Sequence, residues 1–443
     1  MSTSNKLFQA ASGNAGESVY VEDVFSTVLY SGGSAHNFEV GVDMTEGGLL
    51  WFKRRDSSQH HALFDSESDS DFNKYLRSEG TNALDNLNDA AHITVDSEGF
   101  NLSSTGYNLS NNSSGDYVTW MFRKQAGFFD VVTYTGNGSN RTISHNLGSV
   151  PGVMIVKRTS DTEGWQVYHR DLATDEYLEL NVDSAKSNSN GTLRWNSTRP
   201  TATELSLGTH DSVNASGSTY VAYLFAHDDQ SFGDDSDESI IKCGSYTGNG
   251  SSDGPTVTLG FEPQWLMIKR VDGGTGDWTI LDNMRGIYTG SLEDARLFAN
   301  RDYVESNNAL VVDLQATGFK ITSAGSVFNN SGNDYAYIAI RRPMKTPEAG
   351  TEVFKAVARS GNSTAGTSIT CGFPLDWVVT QGRSAISYTR LQGSSRKLFT
   401  YSTSTEGSSG TNVITSFDQD GMTVGTDTDI NTGSWQLAIR TYF

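Results

Sequence analysis

The segment Pro151-Gly-Val-Met-Ile-Val-Lys-Arg158 runs from a proline through four consecutive apolar residues to two bases. It recurs 112 residues later as Pro263-Gln-Trp-Leu-Met-Ile-Lys-Arg270. A short run that is apolar on both faces is typical of a strand buried between two layers. Proline is tolerated at the entrance of such a strand, where no ladder hydrogen bond is lost. The segment therefore predicts a buried β-strand in a repeated unit.

Further matches extend the repeat to both ends of the chain. Leu49-Leu-Trp-Phe-Lys-Arg54 supplies the same strand earlier, and Gly372-Phe373 with Trp377 follow Gly260-Phe261 and Trp265 by another 112 residues. Each copy closes with a polar glycine turn that leads into an apolar strand, as in Asn330-Ser-Gly-Asn-Asp-Tyr-Ala-Tyr-Ile-Ala-Ile-Arg341. Self-similarity at a fixed period indicates repeated structural units. The predicted organisation is a polar N-terminal arm and four repeats, at 1–18, 19–124, 130–227, 240–343 and 352–443.

The pattern within each repeat is β throughout. Turn signals such as Gly136-Asn-Gly138 and Asp272-Gly-Gly274 separate short apolar segments, as in sandwiches. The fold class we predict is all-β, with four tandem two-layer antiparallel β-sandwich repeats, jelly-roll or lectin-like, of about 100 residues each. The best helix candidate is Leu292–Asn300. Short connectors between repeats predict a spaced, rigid string of domains.

Composition narrows the classes of function. The chain has 443 residues, with 32 Lys and Arg against 52 Asp and Glu, so the formal charge is −20. This acidic balance argues against a nucleic-acid partner, and the lack of an 18-residue apolar run argues against membrane insertion. Two cysteines, Cys243 and Cys371, supply no disulfide framework. We expect synthesis in a cytosol without a cleaved export signal.

Motifs that would carry chemistry are scarce. There is no phosphate-binding loop and no His-Glu-x-x-His pair, and Gly250-Ser-Ser-Asp-Gly254 lacks the helix that a nucleophile elbow requires. His60 and His61 are adjacent, so on a strand they point to opposite faces. The acidic stretches Asp65–Asp71 and Asp228–Glu238 are interpreted as solvated loops, with weak Ca²⁺ binding as the alternative. We predict no cofactor, no metal and no catalytic residue.

Two groups of residues are candidates for ligand contact. Lys-Arg pairs recur after the buried strand, but Gln381-Gly382 replaces them in repeat 4, so a structural role is preferred to anion binding. Trp165 and Trp278 occupy equivalent strands and are interpreted as core. Trp195 has no counterpart in the other repeats. Its aromatic face beside polar neighbours would suit a sugar, but packing under a loop is the preferred interpretation; the candidate contact residues are Trp195, Arg194, Asn196 and Arg199.

The repeat resembles one found in virion proteins of tailed phages, particularly marine phages and cyanophages. The residues that carry the resemblance are strongest in repeat 3: Trp278-x-x-Leu-Asp-x-x-Arg-Gly286, Leu297-Phe-Ala-Asn300, Gly318-Phe319 and the closing Asn-Ser-Gly-x-x-Tyr-Ala-Tyr. The Asp-x-x-Arg-Gly element occurs only in repeat 3, and repeat 2 has Leu205-Ser-Leu207 in place of Gly-Phe. The resemblance implies a tail-fibre-like or structural protein and carries over no active site.

The resemblance and the composition together predict a non-enzymatic virion component, made in the host cytoplasm and released by lysis. We expect it in a tail appendage that contacts a host surface glycan or protein, together with other virion proteins. A homotrimer is expected only by analogy with fibres. The alternatives are a capsid-decorating or tail-connecting protein without a host ligand, and a polysaccharide-degrading enzyme of the tailspike type.

Overall fold

The computed structural model describes residues 18–89, 91–287 and 293–381, and in the last repeat 385–390, 396–399, 407–408, 413–418, 421–427, 430–431 and 435–439. Over these residues the chain is nearly all β, which confirms the predicted fold of four tandem antiparallel β-sandwiches. The described helices are single turns: 3-10 turns at Val21–Asp23, Met44–Glu46 and Gly350–Glu352, and α-helical turns α1 (Thr192–Trp195), α2 (Asp211–Asn214) and α3 (Ser326–Asn329). No described helix has the length and apolarity needed to cross a membrane.

The described strands fall into the four repeats in chain order. Repeat 1 contains β1 (Phe25–Ser31), β2 (His36–Glu39), β3 (Gly48–Arg54), β4 (Ala62–Asp65), β5 (Lys74–Tyr75), β6 (Asp85–Asn86), β7 (Ile93–Val95), β8 (Gly99–Leu102) and β9 (Asp116–Arg123). Repeat 2 contains β10 (Phe129–Thr135), β11 (Arg141–Ser144), β12 (Val153–Arg158), β13 (Gln166–His169), β14 (Leu178–Glu179), β15 (Glu204–Leu207) and β16 (Thr219–Phe225).

Repeats 3 and 4 follow the same sequence of elements. Repeat 3 contains β17 (Ile241–Thr247), β18 (Thr256–Thr258), β19 (Pro263–Arg270), β20 (Thr279–Asp282), β21 (Leu297–Phe298), β22 (Val312–Gln315), β23 (Gly318–Ile321) and β24 (Asp334–Arg341). Repeat 4 contains β25 (Phe354–Ala358), β26 (Thr367–Thr370), β27 (Trp377–Gln381), β28 (Ala385–Thr389), β29 (Arg396–Phe399), β30 (Gly407–Ser408), β31 (Ile414–Asp418), β32 (Gly421–Val424) and β33 (Trp435–Ile439).

Each repeat has a principal sheet and a smaller second sheet, and the principal sheets share one strand order. The first strand of the repeat pairs with the last, the last pairs with the buried strand, and the buried strand pairs with the strand after it. These sheets are β1-β9-β3-β4, β10-β16-β12-β13-β14, β17-β24-β19-β20-β21 and β25-β33-β27-β28-β29-β30. Every pairing is antiparallel, so the strand recognised first in the sequence lies inside its sheet with neighbours on both sides.

The helix prediction over Leu292–Asn300 is wrong for residues 293–300, and Leu292 lies outside the described residues. Leu297 and Phe298 form strand β21, which pairs with β20, and Ala299 and Asn300 form a turn. Leu297 is fully buried, because it belongs to a core that residues of repeats 1, 2 and 3 form together. Burial by a neighbouring repeat therefore overrides the helical tendency of the segment.

The Gly-Phe element of repeats 1 and 3 closes a hairpin of the second sheet. Gly99 and Gly318 have φ angles of +157° and +159°, and a Cβ at either position would lie 1.9 Å from a carbonyl oxygen of the facing strand. Only glycine allows that approach. Repeat 2, which lacks the element, has a second sheet of only β11 and β15 among its described strands.

In repeats 1, 2 and 3, one face of the principal sheet is buried in the core of its own repeat, and the other face is buried against neighbouring repeats. In β3, Leu50 and Phe52 pack into the core of repeat 1 itself, whereas Leu49 and Trp51 pack into a core shared by repeats 1, 2 and 3. In β19, the alternate residues divide in the same way between the core of repeat 3 and the shared core. The sequence predicts a covering layer on each side of these strands, and on one side that layer is a neighbouring repeat.

The three repeats meet at an aromatic centre. The centroid of the Phe122 side chain in repeat 1 lies 5.7 Å from that of Phe225 in repeat 2 and 5.8 Å from that of Trp265 in repeat 3. Both pairs are edge to face. Aromatic pairs in this arrangement add about 0.5–1.5 kcal/mol to their area burial. Repeats 1, 2 and 3 thus close into a ring around a common core, and this assembly is called the ring below.

The closed ring corrects the prediction of a spaced string of domains. The acidic connector at 228–238 is likewise not a freely solvated loop. Phe232 is 1% exposed and belongs to the shared core, and the Gly233 amide donates to the Val19 carbonyl. Repeat 4 has a separate core and follows the ring through the segment 343–350.

We predict that the ring loses its structure as one unit. Trp265→Ala removes a fully buried indole from the shared core, which costs about 3–5 kcal/mol. Hydrogen exchange should therefore accelerate in β3 and β12 as much as in β19. The control is Val378→Ala in the core of repeat 4, which should accelerate exchange in repeat 4 alone. Acceleration confined to repeat 3 in the Trp265 variant would contradict a shared core.

Candidate functional site

The interfaces between the ring repeats carry a regular arrangement of polar groups. A backbone amide near the end of each principal sheet donates across the interface to a carbonyl two residues beyond the recurring lysine. The three bonds are Leu84 N to Thr159 O (2.9 Å), Lys186 N to Val271 O (2.8 Å) and Glu305 N to Arg55 O (2.8 Å). The same bond thus joins repeat 1 to 2, repeat 2 to 3 and repeat 3 back to 1.

A side-chain donor just before β4, β13 and β20 forms a second set of equivalent bonds. Trp165 Nε1 donates to the Arg77 carbonyl (3.0 Å), and Trp278 Nε1 donates to the Glu179 carbonyl (2.9 Å). In repeat 1 the position is His61, whose ring lies 2.9 Å from the Phe298 carbonyl. The three acceptor residues hold equivalent positions in their repeats. Glu179 in β14 pairs with the first residue of β13, Phe298 in β21 pairs with the first residue of β20, and Arg77 follows Leu76, which is bridged to Leu63 of β4.

The tautomer of His61 follows from its neighbours. Trp51 Nε1 can only donate, and it lies 2.9 Å from His61 Nδ1, so Nδ1 is the acceptor. The ring proton is therefore on Nε2, which donates to the Phe298 carbonyl. Burial lowers the pKa of His61 well below its ordinary value of 6.5. A neutral imidazole replaces the indole of the other two repeats as the interface donor.

The recurring lysines are buried inside the sheets. Lys53, Lys157 and Lys269 are each 0% exposed, and burial lowers the pKa of each to about 8. Lys269 Nζ donates to the Asp183 carbonyl of repeat 2 (2.8 Å) and Lys53 Nζ to the Asp302 carbonyl of repeat 3 (3.3 Å). Lys157 Nζ donates to the neighbouring Arg158 carbonyl. The preferred structural role of the Lys-Arg pairs thus agrees with the geometry of the lysines.

A third set of contacts involves the last residue of β4, β13 and β20. Asp65 accepts from Tyr223 Oη of repeat 2 (2.9 Å), and Asp282 accepts from Trp120 Nε1 of repeat 1 (2.9 Å). His169 holds this position in repeat 2, 3.5 Å from the Tyr337 carbonyl of repeat 3, and burial lowers its pKa to about 4. Asp65 is 1% exposed and bonded across the interface, so at this residue the interpretation of Asp65–Asp71 as a solvated loop is wrong.

The interface between repeats 3 and 1 has an additional ion cluster. Arg285 is buried, donates to Asp282 (2.6 Å) and to the Ile280 carbonyl, and lies 3.3 Å from Glu305. Glu305 also accepts two hydrogen bonds from Arg55 of repeat 1. The Asp-x-x-Arg-Gly element, which occurs only in repeat 3, supplies Asp282 and Arg285. Its role in the structure is to join the first and third repeats, which no short connector links.

A cavity of about 210 Å³ lies beside this cluster, where repeat 4 meets the ring. Its wall includes Arg55, Arg285 and Glu305, and Arg390 and Phe417 come from repeat 4. Its lining, which belongs to the described part of the chain, contains no histidine and no cysteine. A nucleophile with an adjacent imidazole or thiol is therefore not built there.

The four predicted ligand-contact residues lie together on repeat 2. Trp195 is 0% exposed, packs edge to face on Tyr168, and fills the space beside β15 where the other repeats have a third strand. Arg194 is 5% exposed and stacks on the Tyr177 ring. The indole face is thus used inside the domain, and Asn196 and Arg199 are the members of the group that reach solvent. The prediction of a sugar contact stays a prediction.

The remaining candidates are distributed as follows. Trp165 and Trp278 are buried, as their interpretation as core requires. His60 contacts Glu79 at the surface and His61 points into the interface, so the two adjacent rings diverge. Both cysteines are buried thiols. Within the described ranges, no three His, Cys, Asp or Glu side chains form a group that could hold a metal ion.

The interface donors were missed in the sequence, although a signal was present. His61 follows Leu49 by 12 residues, Trp165 follows Val153 by 12, and Trp278 follows Trp265 by 13. Aligning the first three repeats at this position would have shown one donor residue in each. The acceptors could not be identified from the sequence, because they are backbone carbonyls, which every residue has.

The buried lysines give a matched comparison. We predict that Lys269→Met leaves the ring less stable than Lys157→Met by about 1–3 kcal/mol, because only Lys269 donates across an interface. Urea unfolding of the two variants at pH 7 measures the difference. Equal stabilities would mean that the bond to Asp183 contributes nothing.

The buried histidines make the stability of the ring depend on pH. Below pH 6.5, the ordinary pKa of histidine, His61 and His169 are protonated in the unfolded chain but stay neutral in the folded chain, because burial lowers their pKa. The free energy of unfolding therefore falls as the pH is lowered from 6.5 towards 4. His61→Gln keeps an acceptor for Trp51 and a donor for Phe298 but cannot titrate. We predict a smaller loss between pH 7 and pH 5 for this variant in urea unfolding. An identical loss in both proteins would show that His61 does not contribute.

Comparison with known proteins adds one match. A family model described as a domain of unknown function, DUF7483, matches residues 21–343. No curated protein and no solved structure matches the chain. The matched range begins at the first residue of the shared core and ends where the ring ends, so the family domain corresponds to three repeats and not to one. Because the match covers most of the chain, the chain belongs to the DUF7483 family.

Proposed function

We propose that the protein is a non-enzymatic structural component of a tailed-phage virion, located in a tail appendage that contacts the host surface. The resemblance of the repeat to tailed-phage virion proteins supplies the setting. The observation that favours a structural role is the use of the recurring residues. Three recurring polar positions are the lysine, the Trp or His donor, and the Asp or His at the end of β4, β13 and β20, and most of these residues bond across an interface.

The ring also has the physical properties that an exposed virion part requires. Its interfaces are closed by a shared apolar core and by hydrogen bonds at every joint, so few backbone segments are open to proteases. The charge of −20 reduces non-specific adhesion to anionic cell surfaces, so that attachment depends on specific contacts. Several copies on one particle would turn weak contacts into strong attachment.

The ligand-contact group on repeat 2 gives this proposal a test. Purified protein, fluorescently labelled, should bind to cells of a host that the phage carrying this gene lyses. Asn196→Gly should weaken the binding several-fold, because it removes the half-buried amide, whose Oδ1 also accepts from Asn140 Nδ2, and keeps the left-handed backbone at φ +52°. Asn190→Gly is the matched control, since Asn190 is also left-handed at φ +57° but lies outside the group.

Each outcome bears on a different part of the proposal. Binding that Asn196→Gly leaves unchanged would retain host attachment and reject this contact group. No binding of the native protein, with antibody label on the capsid or inside the tail of intact particles, would favour the decorating or connecting alternative. Release of reducing ends from host polysaccharide would overturn the non-enzymatic assignment.

A further inference from the structure

Repeat 4 presents to solvent the sheet face that the other repeats bury in the ring. The strand register defines the equivalence: Trp377 pairs with Ile439 as Trp265 pairs with Ile340 and Leu49 with Phe122. Counting from these pairs, Ser387 of repeat 4 stands where the shared core has Leu63, Val167 and Ile280, and it is 9% exposed. The apolar positions of repeat 4 that correspond to the shared core, among its described side chains, are Phe354, Ala356, Trp377, Val379 and Leu398. This set is called the repeat-4 face.

Burial at the equivalent positions differs sharply between the ring and repeat 4. In the ring, all of these residues are at most 2% exposed; they are Phe25, Thr27, Leu49, Trp51 and Leu76, then Phe129, Val131, Val153, Ile155 and Leu178, then Ile241, Cys243, Trp265, Met267 and Leu297. On the repeat-4 face, Phe354 is 43% and Leu398 47% exposed. Ala356 is exposed as well, and Trp377 and Val379 are half-buried.

A largely apolar exposed face of this kind marks an interaction surface, and the ring indicates its partner. In repeats 1, 2 and 3 the same face of the same sheet is covered by two further copies of the same fold, arranged around a threefold centre. We propose that the fourth repeats of three copies of this chain pack through the repeat-4 face in the same way, and so hold the protein as a homotrimer. The inference concerns how copies of the chain join, and it does not depend on the proposed function.

The charge distribution fits this partner. The sequence from 352 to 443 has seven Lys and Arg and seven Asp and Glu, so it is neutral, and the rest of the chain carries the whole excess of −20. Three fourth repeats can therefore meet without net repulsion, whereas three rings repel one another. Gln381 replaces the buried lysine of the ring, so a threefold packing of this repeat does not bury three ammonium groups.

The polar bonds of the ring are not all available to the fourth repeats. Ala385 occupies the position of Trp165 and Trp278, so the side-chain donor is absent from the sequence there. The association would then rest on the apolar face itself, with Phe354 and Leu398 as the residues that lose the most exposure. An apolar C3 interface of this type separates when a charge is placed in it.

The test is the mass of the full-length protein in solution. Size-exclusion chromatography with light scattering at about 50 µM should give three times the chain mass of 48.1 kDa. Leu398→Arg and Phe354→Arg should each reduce the mass to that of one chain. Val150→Arg is the matched control, because Val150 is 52% exposed on repeat 2, outside the face, and the variant should remain a trimer.

Hydrogen exchange keeps the test independent of folding defects in the variants. In the native protein, exchange in β25 and β27 should rise on dilution into the concentration range where the trimer dissociates, and exchange in β3 and β12 should not. A native protein of one or two chain masses at 50 µM would overturn the proposal. So would a trimer that persists in both arginine variants, or a β25 whose exchange is unaffected by the loss of the trimer.

Discussion

The structure depends on the requirement that an apolar face of a sheet must be covered. Each principal sheet in the first three repeats has two such faces, and its own second sheet covers only one. The other is covered by the two neighbouring repeats, which have the same need. Three sheets satisfy this requirement together, and the contact of Phe122, Phe225 and Trp265 at the centre shows how closely they meet.

Polar groups at the interfaces then fix the geometry that apolar packing leaves open. Hydrophobic contact is non-directional, whereas a hydrogen bond between Trp278 Nε1 and the Glu179 carbonyl requires one register of the two sheets. The substitution of His61 for tryptophan in repeat 1 keeps the donor and changes the shape, and Trp51 compensates by donating to its second nitrogen. The interface between repeats 3 and 1 contains the linked ion pairs of Arg55, Glu305, Arg285 and Asp282, and these two repeats are the pair that the chain does not connect directly.

The sequence predicted the repeats, the β class and the buried strand, because these depend on patterns within about 100 residues. It did not predict the ring. An apolar run such as Val153–Val156 shows that both faces are covered, but it does not identify the covering layer. The helix predicted at Leu292–Asn300 failed for the same reason, since Leu297 is buried by its place in the ring. Trp195 has no counterpart in the other repeats, and its helical turn lies against β15 in the repeat whose second sheet has two described strands.

The equivalence of the three interfaces has an evolutionary consequence. Because one set of hydrogen bonds serves all three interfaces, the ring does not require its members to be consecutive in one polypeptide. A short ancestral gene for a single sandwich could have assembled the same ring from separate chains, and later duplication and fusion would have made that association permanent. In the fused chain each copy has its own codons, so a departure such as imidazole for indole affects one interface and leaves the other two unchanged.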